Sequence, residues 1–312
     1  MSTPLRLTAF AAGLAVIGSS AAAVGSATKL TPPVGGAIAA HGHGGSVHDM
    51  QMGSSRMPMG GSGATAHGMA MPGMAPMVAG ADGTRLSLSG VTLAPASDRL
   101  TAGRASTWRF GILDQAGMPV RRFDRDQTKL LHLIVARLDL TGYQHLHPVV
   151  AADGTFSVAL TLDKPGRYRA ITDLTTGGKR YVLGTTLTAP GAAPAKPLPA
   201  QASTASTDGY AVSLSRPVSL MAGREAEMTF RVSHNGQPVT GLQPYLGAYG
   251  HLVALHAGDL AYSHVHPSGR DRERAAITFH TELPTSGFYR LFLQFRTGGR
   301  VHTVAFTQLA SK

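Results

Sequence analysis

The sequence predicts an all-β chain, two tandem β-sandwich domains that follow a polar, structureless N-terminal segment. Two observations carry this. From Gly83 onward the chain breaks into short stretches of alternating apolar and polar residues bounded by turn signals, with no sustained helical period. Several such strands in about a hundred residues form the pattern of a β-sandwich. From Asp208 to the end the same unit is replayed with a period of about 120 residues, far from the short period of a solenoid.

In the first unit, Thr84–Ser89 and Ala105–Ile112 alternate as strands, and Gln115–Pro119 supplies a turn. Leu130–Arg137 is dense in aliphatics; after a short loop comes Tyr143–His147, and Asp153-Gly154 marks a further turn. Thr155–Leu162, Gly166–Leu174 and Arg180–Leu187 complete the unit, the last two joined across Gly177-Gly178. The second unit echoes it: Asp208-Gly209 repeats Asp82-Gly83, Ala222-Gly223-Arg224 repeats Ala102-Gly103-Arg104, and Gly298-Gly299 repeats Gly177-Gly178. The Pro/Ala-rich stretch 190–207 between them reads as a linker, semi-extended where proline is dense.

Asp163-Lys-Pro-Gly166-Arg-Tyr168 resembles the tyrosine corner of immunoglobulin-like sandwiches, and Pro284-Thr-Ser-Gly287-Phe-Tyr289 repeats it. The resemblance implies two immunoglobulin-like domains, 83–189 and 208–312, in which Tyr168 and Tyr289 are structural.

The N-terminus carries Arg6 before an apolar run and then small residues through Ala27. Residues 1–27 therefore read as a signal peptide, cleaved after Ala23 or Ala27, or as an uncleaved membrane anchor. Either places the rest outside the cytoplasm, secreted or held on the outer face of the cytoplasmic membrane. The formal net charge of +11 is dispersed, without the Lys/Arg blocks and interleaved aromatics of a nucleic-acid binder. With no cysteine, disulfides, thiolate metal sites and iron–sulfur clusters are excluded. Any metal site must draw on His, Met, carboxylate, Tyr or backbone oxygen.

Residues 28–82 are Gly, Ala, Ser and Pro with almost no aliphatic periodicity, so no packed core is expected. Within them His41, His43, His48 and His67 mingle with Met50, Met52, Met57, Met59, Met69, Met71, Met74 and Met77. These are eight of the 12 methionines in the chain, placed where no core can use them. Thioether selects Cu(I), and imidazole suits Cu(II), Zn(II) or Ni(II), so the tract reads as a copper-capturing arm. A passive spacer or an oxidant sink is the bland alternative. In composition the tract resembles the Met/His-rich segments of periplasmic copper-handling proteins.

The chain also spells one motif twice. Tyr143-Gln-His145-Leu-His147-Pro148 recurs as Tyr262-Ser-His264-Val-His266-Pro267, each after an upstream histidine, His132 or His251, at the same interval. On a strand, alternate side chains share a face. A hairpin centred near Asp139-Leu140 sets His132 opposite His147 with His145 on the diagonal, and the same arithmetic sets His251 opposite His266. Three imidazoles then offer a transition-metal site, with water, Tyr, Asp173 or a methionine from the arm as fourth ligand. Both copies keep these histidines, whereas His234, His256, His280 and His302 have no counterpart and read as incidental. Hydrogen-bonded strand-end histidines are the structural alternative.

Taken together, the upstream histidine, the Tyr-x-His-x-His-Pro element and the Gly-x-Tyr-Arg that follows resemble a family of exported bacterial sandwich domains associated with envelope metal and copper handling. The resemblance implies importance for His132, His145, His147, His251, His264 and His266, and nothing about catalysis. The expectation is a non-enzymatic extracytoplasmic metal-binding protein that buffers or delivers copper, with zinc as a further candidate. Its partners would be the metal ion and an envelope carrier or transporter, with membrane contact through the N-terminal segment if uncleaved and no nucleic acid. An envelope structural or interaction module, or a copper redox enzyme, are the competing expectations.

Overall fold

The computed structural model describes residues 75–216, 219–271 and 275–312. The signal or anchor segment and the His/Met tract from His41 to Met74 lie outside the described residues, as do the side chains of His264 and His266. Among the described residues there is no helix.

The first sandwich contains β1 (Ser87–Leu88), β2 (Val91–Pro95), β3 (Ala105–Leu113), β4 (Leu131–Arg137), β5 (Gln144–Leu146), β6 (Val149–Val150), β7 (Phe156–Thr161), β8 (Gly166–Thr176) and β9 (Lys179–Ala189). One sheet runs β1-β2-β3-β7-β6 and the other β5-β4-β8-β9, the immunoglobulin-like division of strands between two sheets. Alternation drives it: Trp108, Phe110 and Ile112 of β3 point inward and are buried, while Thr107 and Arg109 between them stay more exposed.

The second sandwich repeats the plan with β10 (Thr204–Thr207), β11 (Tyr210–Ser215), β12 (Leu220–Met221), β13 (Glu225–His234), β14 (Gln237–Pro238), β15 (Gly250–His256), β16 (Tyr262–His264), β17 (His266–Asp271), β18 (Ala276–Glu282), β19 (Gly287–Thr297) and β20 (Arg300–Ser311). Its sheets run β10-β11-β13-β18-β17, with β14 beside β13, and β12-β20-β19-β15-β16.

Both tyrosine corners form. The Tyr168 hydroxyl donates to the Lys164 carbonyl at 2.8 Å and accepts from the Lys164 amide at 3.1 Å. Tyr289 does the same with Thr285, at 3.0 and 3.2 Å. The stretch 190–207 is more tied down than its composition suggests. Arg137 donates to the carbonyls of Ala193 and Pro194, Asp139 accepts from the Lys196 amide, and Thr204–Thr207 pairs with β11 as strand β10. Proline lacks a donor, but its neighbours keep carbonyls that a buried guanidinium can satisfy. At the other edge, Gly184 is required by close approach, since a Cβ there would lie 1.8 Å from the Gly83 carbonyl oxygen.

Strand β4 is buried along its whole length, although only alternate residues can face its own sandwich. Leu131, Leu133 and Val135 face the first core, paired across β8 with Leu174, Thr172 and Ala170. His132, Ile134 and Ala136 face the other way and are covered by the second sandwich. Strand β15 is likewise buried to Leu255. One apolar cluster runs from the interior of the first sandwich to Val253, Leu255, Leu260, Tyr262 and Phe292. The sheets holding β4 and β15 are thus docked face to face.

The docking is reciprocal. Tyr262 of the second sandwich donates its hydroxyl to Asp173 of the first at 2.9 Å. His145 of the first bonds Gln294 of the second at 2.8 Å. Gln294 is the counterpart of Asp173, each lying opposite the upstream histidine of its own sheet. The two bonds are not copies of one another, since the counterpart of Tyr262 is Tyr143 and not His145, and the Tyr143 hydroxyl is buried without a partner.

Candidate metal centre

The hairpin β4–β5 sets the site. Leu133 pairs with Leu146 and Ile134 with His145, which is the register expected from Asp139-Leu140. Extending it by one residue puts His147 opposite His132. The expected strand from Tyr143 to His147 is shorter in fact, Gln144–Leu146. Pro148 cannot donate to a continuing ladder, and the chain crosses to the other sheet as β6, beside β7. In the second unit Val253 pairs with His264, the corresponding register, and the chain then crosses at His266, which pairs with His280 in β17–β18.

His132, His145 and His147 converge. One ring nitrogen from each lies within 4.8 Å of the others. His132 Nδ1 and His145 Nε2 are 3.0 Å apart, so both can stand at an imidazole–metal distance of about 2.0–2.1 Å from one ion.

The outer ring nitrogens fix the tautomers. His132 Nε2 lies 3.2 Å from the Asp126 carbonyl oxygen, and His145 Nδ1 lies 2.8 Å from Gln294 Oε1. Carbonyl oxygens accept only, so each outer nitrogen is the N–H donor. The nitrogens facing each other at 3.0 Å then both present lone pairs, a contact that needs a cation between them or a rearranged proton. His147 Nε2 is buried with no hydrogen-bond partner. His132 and His145 thus turn these nitrogens toward each other, and His147 brings a ring nitrogen within 4.8 Å of both.

Burial and mutual charge keep the His145, His147 and His251 rings neutral. His145 is held well below the ordinary histidine range by burial first, then by the positive charge that His132 and His147 would carry, against the opposing hydrogen bond to Gln294. His147 is lowered to about 3 by burial, then His132 and Lys129. His251 is lowered to about 4, again chiefly by burial. Neutral imidazole is the form that binds metal.

The second sandwich closes the site. The His251 ring lies 6.2 Å from that of His145 and the Tyr245 ring 6.4 Å from that of His147, centroid to centroid. His251 Nε2 donates to the Tyr245 carbonyl at 2.7 Å, which repeats the bond from His132 to Asp126. The turns that supply these carbonyls are related. Asp126 bridges Lys129 and Tyr245 bridges Ala248, with positive φ at Gln127, Thr128, Leu246 and Gly247. A Cβ on Gly247 would sit 3.8 Å from Thr128 Cγ2, so the two turns abut.

Among the other residues proposed from sequence, Asp173 lies opposite His132, but its carboxylate is engaged by Arg180 at 2.5 and 2.7 Å and by Tyr262. Arg180 also reaches Asp126 at 3.2 Å. Burial acts most strongly against its charge, but Asp173, Tyr262 and Asp126 together more than offset it and hold its pKa above the ordinary arginine value. Asp173 is therefore a framework carboxylate more than a fourth ligand. Tyr143 stacks on Phe292 with centroids 4.0 Å apart; its hydroxyl is buried without a partner. Of the arm, only Met77 is described. It is exposed and forms a bridge with Arg180 on β9. Gln294, Tyr245 and Asp126 were not singled out from sequence. The available signal was the aliphatic run of β4, which has no alternation and so needs cover on both faces.

Among curated proteins, no relative matches this chain. Solved structures similar to it include the Escherichia coli adhesin FdeC, at 18% identity over 72% of this chain and 65% of that one, with a TM-score of 0.24. Yersinia pseudotuberculosis InvD is similar at 15% identity over 72% and 58%, TM-score 0.25. Domains 4 and 5 of the S-layer protein SbsC align at 13% identity over 73% and 100%, TM-score 0.22. The chain spans less than two thirds of the FdeC and InvD chains. Residues 86–191 and 205–312, more than half of the chain, each match the family described as Domain of unknown function (DUF8832), and the protein belongs to that family as a tandem pair of its domains.

Proposed function

We propose that the protein is an exported, non-enzymatic metal-binding protein whose first sandwich holds a transition-metal ion on His132, His145 and His147. The observation that carries this is the convergence of one ring nitrogen from each of three histidines within 4.8 Å, in a cluster where His147 Nε2 is buried with no partner. Imidazole suits copper, zinc and nickel. Copper is favoured by the methionines of the N-terminal tract, whose soft sulfur selects Cu(I). On this reading the protein buffers or delivers copper outside the cytoplasm.

The test is metal titration of the full exported chain against a chromophoric competitor, using Cu(I), Cu(II) and Zn(II) in turn. His145→Ala/His147→Ala should remove one tight equivalent, and deletion of His41 to Met77 should lower Cu(I) capacity. Binding by the histidine variant equal to that of the native chain overturns the reading. A copper-loaded chain that turns over superoxide or an oxidisable substrate would make it an enzyme.

A second reading, an envelope interaction module, rests on a different observation. With the Gln294 amide turned so that its NH2 group faces His145 Nδ1, the contacts of His132 with Asp126 and His145, and of His145 with Gln294, form a hydrogen-bonded network that joins the sandwiches without an ion. If the native chain binds none of these metals and the histidine variant only loses stability, the network is structural.

A further inference from the structure

We infer that Gln294 is a positioning residue for this centre, so that the second sandwich sets the affinity of a site whose ligands all belong to the first. The inference rests on the metal reading above. Gln294 is 7% exposed, with Oε1 2.8 Å from His145 Nδ1 and Nε2 3.3 Å from Thr303 Oγ1. A terminal amide carries an acceptor at one end and a donor at the other. With Oε1 toward the ring, His145 keeps its proton on Nδ1 and offers the Nε2 lone pair to an ion. With the amide turned over, the NH2 group donates to Nδ1 and the ring proton moves to Nε2, where it bonds His132 Nδ1. That second arrangement satisfies the facing nitrogens of His132 and His145 without an ion. The Thr303 hydroxyl both donates and accepts, so it serves either orientation.

Gln294 can thus exchange a proton-filled cluster for a metal-ready one, at no cost in charge. Its counterpart Asp173 cannot do this, because a carboxylate only accepts. Outer partners that fix a histidine's tautomer typically govern metal affinity by 10–100-fold.

The test uses the full chain labelled with 15N-histidine, with Zn(II) as the probe. Long-range 1H–15N correlations report the His145 tautomer, and competition titration reports affinity. Zinc should drive His145 of the native chain wholly to the Nδ1–H form. Gln294→Glu keeps the acceptor and should hold Nδ1–H even without zinc, with affinity at least native. Gln294→Leu has no acceptor; its ion-free ring should favour Nε2–H and its zinc affinity should drop about 10–100-fold. Native zinc binding with unchanged tautomer and affinity in Gln294→Leu overturns the inference alone. No zinc binding by the native chain overturns the metal reading and the inference together. If Gln294→Leu does not fold, Gln294→Glu decides: an ion-free Nε2–H ring in that variant overturns the assignment.

Discussion

A histidine ring taken out of water among other histidines loses acid tolerance. His145, His147 and His251 all titrate below the ordinary value of about 6.5 in the folded chain. Below that pH the unfolded chain binds more protons than the folded one, so stability falls as pH falls through the window down to about 4 and about 3 for His251 and His147. The ceiling on the slope is about 1.4 kcal/mol per pH unit for each proton taken up. Urea midpoints of the metal-free protein should therefore decline from pH 6.5 to 4, and His147→Gln should flatten the decline. A flat native profile would mean that these rings are solvated. Gln294 and Asp126 belong to the same scale, since each contributes one acceptor that decides which ring nitrogen faces inward.

At the scale of elements, the turn at Asp126–Lys129 holds the His132 ring through one carbonyl and stores strain in doing so. Thr128 has φ 72°, a left-handed conformation that costs a β-branched residue about 1–2 kcal/mol. The equivalent turn places Gly247 at φ 84°. Thr128→Gly should stabilise the chain by roughly 0.5–1 kcal/mol, the relieved strain less the added freedom of the unfolded glycine. Thermal unfolding checks this, and a lower melting temperature would show that contact of Thr128 with the Gly247 turn matters more. The strand positions, the tyrosine corners and the β4–β5 register were legible in the sequence, because alternation, turn residues and the spacing of His132 from His147 are local properties. The face that covers β4 was not legible. Nothing local in Leu131–Arg137 says what lies beyond Ile134; only its lack of alternation announces a second cover. Gln294 was hidden for the same reason, being distant in sequence and on the other sandwich.

At the scale of the whole molecule, the docked sheets extend the core of the first sandwich into residues of the second, which keeps a core of its own besides. Phe292 is 4% exposed and stacks on Tyr143. Phe292→Ala should cost about 3–5 kcal/mol, a large aromatic lost from a packed site. That loss falls on the docking, so guanidine unfolding followed by Trp108 fluorescence and by circular dichroism should split into two transitions. Coincident transitions would place the loss inside the second sandwich. The contacts of Tyr262 with Asp173 and of His145 with Gln294 tie each sandwich to the residue that stands opposite the other's upstream histidine. A substitution at position 173 or 294 is therefore felt in both halves of the duplication, and the two copies are no longer free to change independently.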